Sequence, residues 1–124
     1  MKIACATDDG INFISRHFGD ANYYYIFELI DGDFVYVDKI RNNSEEEKQH
    51  ADPVKAKSIV KLLKEQNVDV GLAKVFGPNI LRIKNIITPV IVSVDDIQSG
   101  LMQLKKSYSQ VKEAAVSKEY LKIK

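Results

Sequence analysis

The spacing of apolar and polar residues changes several times along this chain, and each change marks an element. Ile3 to Ala6 is a short apolar run closed by Asp8-Asp9-Gly10, which predicts a strand buried on both faces. No period holds from Gly10 to Ala21, so that stretch is expected to be a loop. A loop this long inside a compact domain commonly carries function. Tyr23 to Ile30 is aromatic and branched and predicts a second strand. Asp31-Gly32 is a hairpin turn signal, and Asp33 to Ile40 alternates as the returning strand should.

Arg41 to Ala51 is polar and unperiodic and reads as an exposed linker. Asp52-Pro53 then supplies a capping carboxylate and a proline suited to a first helical position. Val54, Ile59, Leu62 and Leu63 continue that helix as one apolar stripe, and Asn67 ends it. Val68 to Ala73 predicts a strand. Gly77-Pro78-Asn79 opens a short helix carrying Ile80, Leu81 and Ile83, which closes near Asn85. Ile86 to Val92 predicts another strand, and Pro89 places it at a sheet edge. Asp95-Asp96 caps a helix through Ile97, Leu101 and Leu104.

The resulting order is β-β-β-α-β-α-β-α. An antiparallel hairpin followed by βα alternation implies an α/β fold with a mixed sheet and helices on both faces. We expect one main domain over residues 1–106 and a C-terminal helical extension over 107–124, through Tyr108, Val111 and Ala115. Sites in such sheets lie beyond the C-terminal ends of parallel strands. The loops at residues 8–21 and 74–79 should both open there.

Composition narrows the function. The chain has 124 residues, and 18 Lys+Arg oppose 17 Asp+Glu. A nucleic-acid binder normally shows a basic excess, so nucleic acid is not an expected partner. No apolar run approaches a membrane span, and the N-terminus lacks the apolar core of a signal peptide. A cytoplasmic protein is expected. The single cysteine, Cys5, excludes an intrachain disulfide or a cysteine-only metal site. Its place in a strand reads as a small buried hydrophobe.

Two histidines offer metal-ligand chemistry. His17 lies in Ser15-Arg16-His17-Phe18-Gly19, within the long loop, and His50 precedes the first long helix. Each is either a ligand or a solvated side chain. Asp8 and Asp9 are either turn formers or a carboxylate pair able to hold magnesium for hydrolysis. Gly77-Pro78-Asn79 sets a helix start at the expected crevice, where N–H groups favour an anion, with Lys74 adding charge. No phosphate-loop or dinucleotide glycine pattern is present.

These residues together carry a resemblance. Met1-Lys2-Ile3-Ala4 through Asp8, then Ser15-Arg16-His17-Phe18-Gly19-Asp20-Ala21 and Tyr25-Ile26-Phe27-Glu28, resembles the dinitrogenase iron-molybdenum cofactor biosynthesis family. Val68-Asp69-Val70 followed by Phe76-Gly77-Pro78-Asn79 is similar to its second hallmark, and His50 falls where many members have a histidine. The likeness covers about residues 1–105. It implies a ribonuclease-H-like fold without nuclease activity, and a protein that binds an iron–sulfur or iron-molybdenum cofactor precursor cluster. On that likeness His17 and His50 are the metal ligands. Asp8, Asp9, Gly10, Ser15, Arg16, Phe18, Gly19, Lys74, Gly77, Pro78 and Asn79 form the cradle. Partners would be the metallocluster and cluster-assembly or acceptor proteins. The other readings are an interaction or regulatory domain without a cluster, and a metal-dependent hydrolase using Asp8 and Asp9. Sequence leaves the oligomeric state open.

Overall fold

The computed structural model describes residues 1–42 and 53–124, with side chains in the helix that starts at Pro53 described from Ile59 onward. Its strands are β1 (Lys2–Thr7), β2 (Tyr23–Ile30), β3 (Asp33–Arg41), β4 (Val70–Ala73), β5 (Thr88–Ile91) and β6 (Leu121–Lys122). Its helices are α1 (Pro53–Glu65), α2 (Ile80–Ile83), α3 (Ile97–Lys106) and α4 (Tyr108–Ser117). The strands form one six-stranded sheet in the order β3-β2-β1-β4-β5-β6. β1 pairs antiparallel with β2, as does β2 with β3. β1, β4, β5 and β6 run parallel. This is the mixed α/β sheet that the hydrophobic pattern predicts.

Two-residue periodicity divides the core between the sheet's faces. Ala4, Ala6, Tyr24 and Ile26 face Ile59, Val60 and Leu63 of α1 and Ile83 of α2. Ile3, Cys5, Phe27, Val70, Leu72 and Val90 face Ile97, Leu101 and Leu104 of α3 and Val111 of α4. The helices thus cover both faces. The hairpin turn places both central residues at positive φ, Asp31 at 51° and Gly32 at 84°. That is the turn whose twist matches paired strands. Asn67, at φ 66°, ends the turn after α1, where the Val68 N–H reaches back to the Leu63 carbonyl at 3.1 Å.

The structure departs from expectation in three places. Arg41 belongs to β3 and Asn42 is buried, so the exposed linker does not begin there; the rest of that segment, with His50 and Asp52, lies outside the described residues. β5 is not an edge strand, because residues beyond α4 return as β6 beside it. Pro89 is tolerated for a simple reason. The N–H groups of Thr88 and Val92 point to β4, so the donor-less Pro89 nitrogen faces the other side, and β6 pairs only from Val90 onward. The third departure is a bulge at Val37. Ile26 pairs with Asp38 while Phe27 pairs with Tyr36, and the extra residue breaks the ladder of the exposed edge strand β3.

Cys5 is fully buried in β1, and burial pushes its thiol far above the ordinary cysteine range. Only the thiolate reacts readily with disulfide reagents. We therefore expect Cys5 to resist a soluble aryl disulfide at about pH 8 in the native protein and to react fully once denatured. A fast native reaction, read by absorbance, would contradict its burial.

Candidate functional site

The loop after β1 is built from its own polar side chains. The Thr7 hydroxyl donates to the Asn12 carbonyl at 2.6 Å and accepts from the Gly10 N–H at 2.9 Å. Asp9 Oδ1 accepts from the Ile11 and Asn12 N–H groups at 2.8 and 2.9 Å. These amide bonds, that of Asn12 foremost and then that of Ile11, hold the Asp9 carboxyl below the usual aspartate range. A lowered carboxyl stabilises the fold above its unfolded value of about 3.9 and loses that contribution as pH falls through the lower folded value. Asp9→Ala should therefore reduce stability at neutral pH and flatten its acid-side decline. Asp9→Asn, which keeps the accepting oxygen, should cost less. Urea titrations between about pH 2 and pH 7 read both effects.

Asp8 serves a different part of the loop. Arg16 Nη2 meets its two carboxylate oxygens at 3.0 and 2.9 Å and also donates to the Asp20 carbonyl at 3.2 Å. The Asn22 N–H donates to Asp8 Oδ1 at 3.0 Å. The pair is partly exposed, so the ion pair itself contributes little, about 0–1 kcal/mol. Its effect is to draw the two ends of the loop together.

Phe18 fastens that loop to the core. It is fully buried, stacks on Phe76 with ring centroids 4.8 Å apart, and tilts against Tyr24 at 5.1 Å. Its ring lies over Gly71 of β4, where an added Cβ would stand 3.0 Å from Cζ. The Tyr24 hydroxyl donates to the Phe18 carbonyl at 2.6 Å. Burial first, then the Asp20 and Asp8 charges, pushes this phenol well above its usual range, so it stays a donor. The Asn42 amide donates to the Gly19 and Ala21 carbonyls, both at 2.9 Å.

These anchors set His17 against the loop after β4. A Cβ built on Gly77 would lie 2.5 Å from His17 Nδ1 and 2.6 Å from Cε1. Gly77 has φ +76°, a conformation that L side chains rarely adopt, so glycine serves both the backbone and the contact. Among the described residues the half-buried imidazole has no hydrogen-bond or ion-pair partner. Nε2 is not among the three ring atoms nearest Gly77.

The expected residues therefore divide into groups. His17, Phe18 and Gly77 are in one place, and the Phe18–Phe76 stack locks the two loops together, as the crevice argument requires. Asp8, Asp9 and Arg16 stabilise the loop. Gly10 packs beneath the Tyr25 ring, Gly19 faces open space, and Ser15 and Pro78 are exposed. Lys74 is engaged with Asp95 at 2.6 Å, so its charge is offset. The helix after Asn79 is a single turn, Ile80–Ile83, with no side-chain cap, so its dipole is too small to be the anion site expected of it. Among the described residues no three His, Cys, Asp or Glu converge on a metal position. Asp8 and Asp9 have separate partners and share no such position. Sequence reasoning missed Tyr24, Asn42 and Phe76 as supports of the site. The signal that could have found Tyr24 is strand alternation, which sends it to the face opposite Tyr23 and Tyr25.

The domain is thus of the mixed α/β class, with a histidine loop that leaves the C-terminal end of β1 and meets the loop after its parallel neighbour β4. Residues 1–107 match the dinitrogenase iron-molybdenum cofactor family, and the chain belongs to that family. Two solved structures share the fold. One, from Methanocaldococcus jannaschii and provisionally assigned as a dinitrogenase, is 24% identical, with a TM-score of 0.61, covering 86% of this chain and 89% of its own. The other, the protein PH0822, is 16% identical, with a TM-score of 0.59, covering 91% of this chain and 92% of its own. No curated protein matches the sequence. No helix among the described residues is long and apolar enough to cross a membrane.

Proposed function

We propose that this protein is a non-enzymatic accessory that carries or holds an iron–sulfur or iron-molybdenum cofactor precursor cluster, with His17 Nε2 as its ligand. One observation carries this reading: an imidazole with no hydrogen-bond or ion-pair partner among the described residues, held half-buried against a glycine at positive φ. Family membership supports the cargo class. A neutral imidazole nitrogen binds iron well. With one ligand at the described site, the remaining coordination belongs to ligands that the cluster brings, to His50, or to a partner. A lightly held cargo suits a carrier, which must release it to an assembly or acceptor protein. On this reading the protein works in the cytoplasm.

The test is anaerobic loading with iron and sulfide, followed by mixing with an apo acceptor protein. The reading predicts bound iron with a visible charge-transfer band that moves to the acceptor. Failure to bind iron, or binding without any transfer, would oppose it.

A further inference from the structure

A recess lies beside the loop after β4, and Gly77, the neighbour of His17, is one of its lining residues. It is a groove of about 570 Å³ between the loop after β4, the end of β5 and the C-terminal strand β6. Ile80 and Ile91 give it an apolar lining, and Lys74, Ser93, Tyr120 and Lys122 are its polar members. Its size is that of a small-molecule site, and so is its makeup of apolar surface with a few polar groups. The wall from Tyr120 to Ile123 is fixed to the sheet, since β6 pairs with Val90 and Ile91 and the Ile123 N–H donates to the Ile91 carbonyl at 2.8 Å. Tyr120 and Lys122 lie outside residues 1–107, the span that matches the family.

The charges say what would fit. The groove's charged side chains are Lys74 and Lys122, and Asp95 offsets one of them at 2.6 Å. The balance is a single positive charge over an apolar bed. A phosphate is a poor match, because the groove presents no arginine fork and α2 is a single turn. We propose that this groove binds a monovalent organic carboxylate with an apolar body, the carboxylate meeting Lys122 and the body lying on Ile80 and Ile91, which share one side of the sheet. The inference is separate from the cargo at His17 and stands or falls without it.

Octanoate is the probe, octan-1-ol its neutral control, and amide chemical shifts of the full chain the readout. Octanoate should give saturable shifts at residues 74–77 and 120–123. Octan-1-ol should bind roughly tenfold more weakly, the size expected when a charge-assisted hydrogen bond is lost. Lys122 is exposed, so Lys122→Glu should leave the rest of the spectrum in place while weakening octanoate by at least that factor. Lys122→Arg should restore binding. Absence of saturable shifts, shifts centred elsewhere, equal affinity for the alcohol, or unchanged binding in Lys122→Glu would each overturn the proposal.

Discussion

Phe18→Ala should lower the stability of the fold by about 3–5 kcal/mol, the range for truncating a buried phenylalanine to alanine. The ring is fully buried and lies between Phe76, Tyr24 and Gly71, so its removal leaves a cavity that rigid strands cannot close. The loss is a large fraction of the total stability of a domain this size, on the order of 6–19 kcal/mol. It should also loosen His17, because the Phe18 stack is what joins the loop after β1 to the loop after β4. Urea unfolding measures the first effect and line broadening of the His17 ring protons the second. A loss under about 1 kcal/mol would mean that the loop is not held by this ring.

Gly77→Ala should act on the site more than on the fold. The backbone at φ +76° costs an alanine roughly 1–2 kcal/mol, and the added Cβ meets Nδ1 and Cε1 of His17 at 2.5 and 2.6 Å. The imidazole must move or the loop must shift. We expect a smaller stability loss than for Phe18→Ala, together with iron loading reduced to the level of a protein lacking His17. The pair of measurements separates positioning from folding. If Gly77→Ala loads iron as well as wild type does, the Gly77 contact has no part in holding the ligand.

Much of this arrangement was legible in the sequence, for identifiable reasons. The unbroken apolar run from Ile3 to Ala6 announced a strand buried on both faces, and the two cores take Ile3 and Cys5 on one side and Ala4 and Ala6 on the other. Asp31-Gly32 announced its turn because only a few residue types accept positive φ. The meeting of the two loops followed from strand direction alone. What stayed hidden depends on contacts between residues distant in sequence. The charged run after α4 gave no sign that Leu121 and Lys122 would find β5, since a two-residue strand has no period to read. Pro89 signalled an edge correctly in its chemistry but not in its topology. Lys74 and Arg16 looked like free cations for an anion because the partners that offset them, Asp95 and Asp8, are distant in the chain or already assigned to a turn.

The same distinction governs the acidic residues. Asp8-Asp9-Gly10 reads equally as a turn or as a magnesium site. The structure gives each carboxylate its own amides and, for Asp8, its own guanidinium. Spacing cannot tell these apart, because both uses need carboxylates at the end of a strand. The histidine is the opposite case. His17 stood out by position, and folding leaves it with a glycine for a neighbour and no hydrogen-bond partner among the described residues.

The central claim is that His17 is the metal ligand, and its most direct test is iron content after anaerobic loading in wild type, His17→Ala and His50→Ala, measured side by side with the visible absorbance. The account predicts that His17→Ala loses most of the bound iron and its charge-transfer band while remaining folded, and that His50→Ala loses less. Full loading of His17→Ala, with the band unchanged, would contradict it.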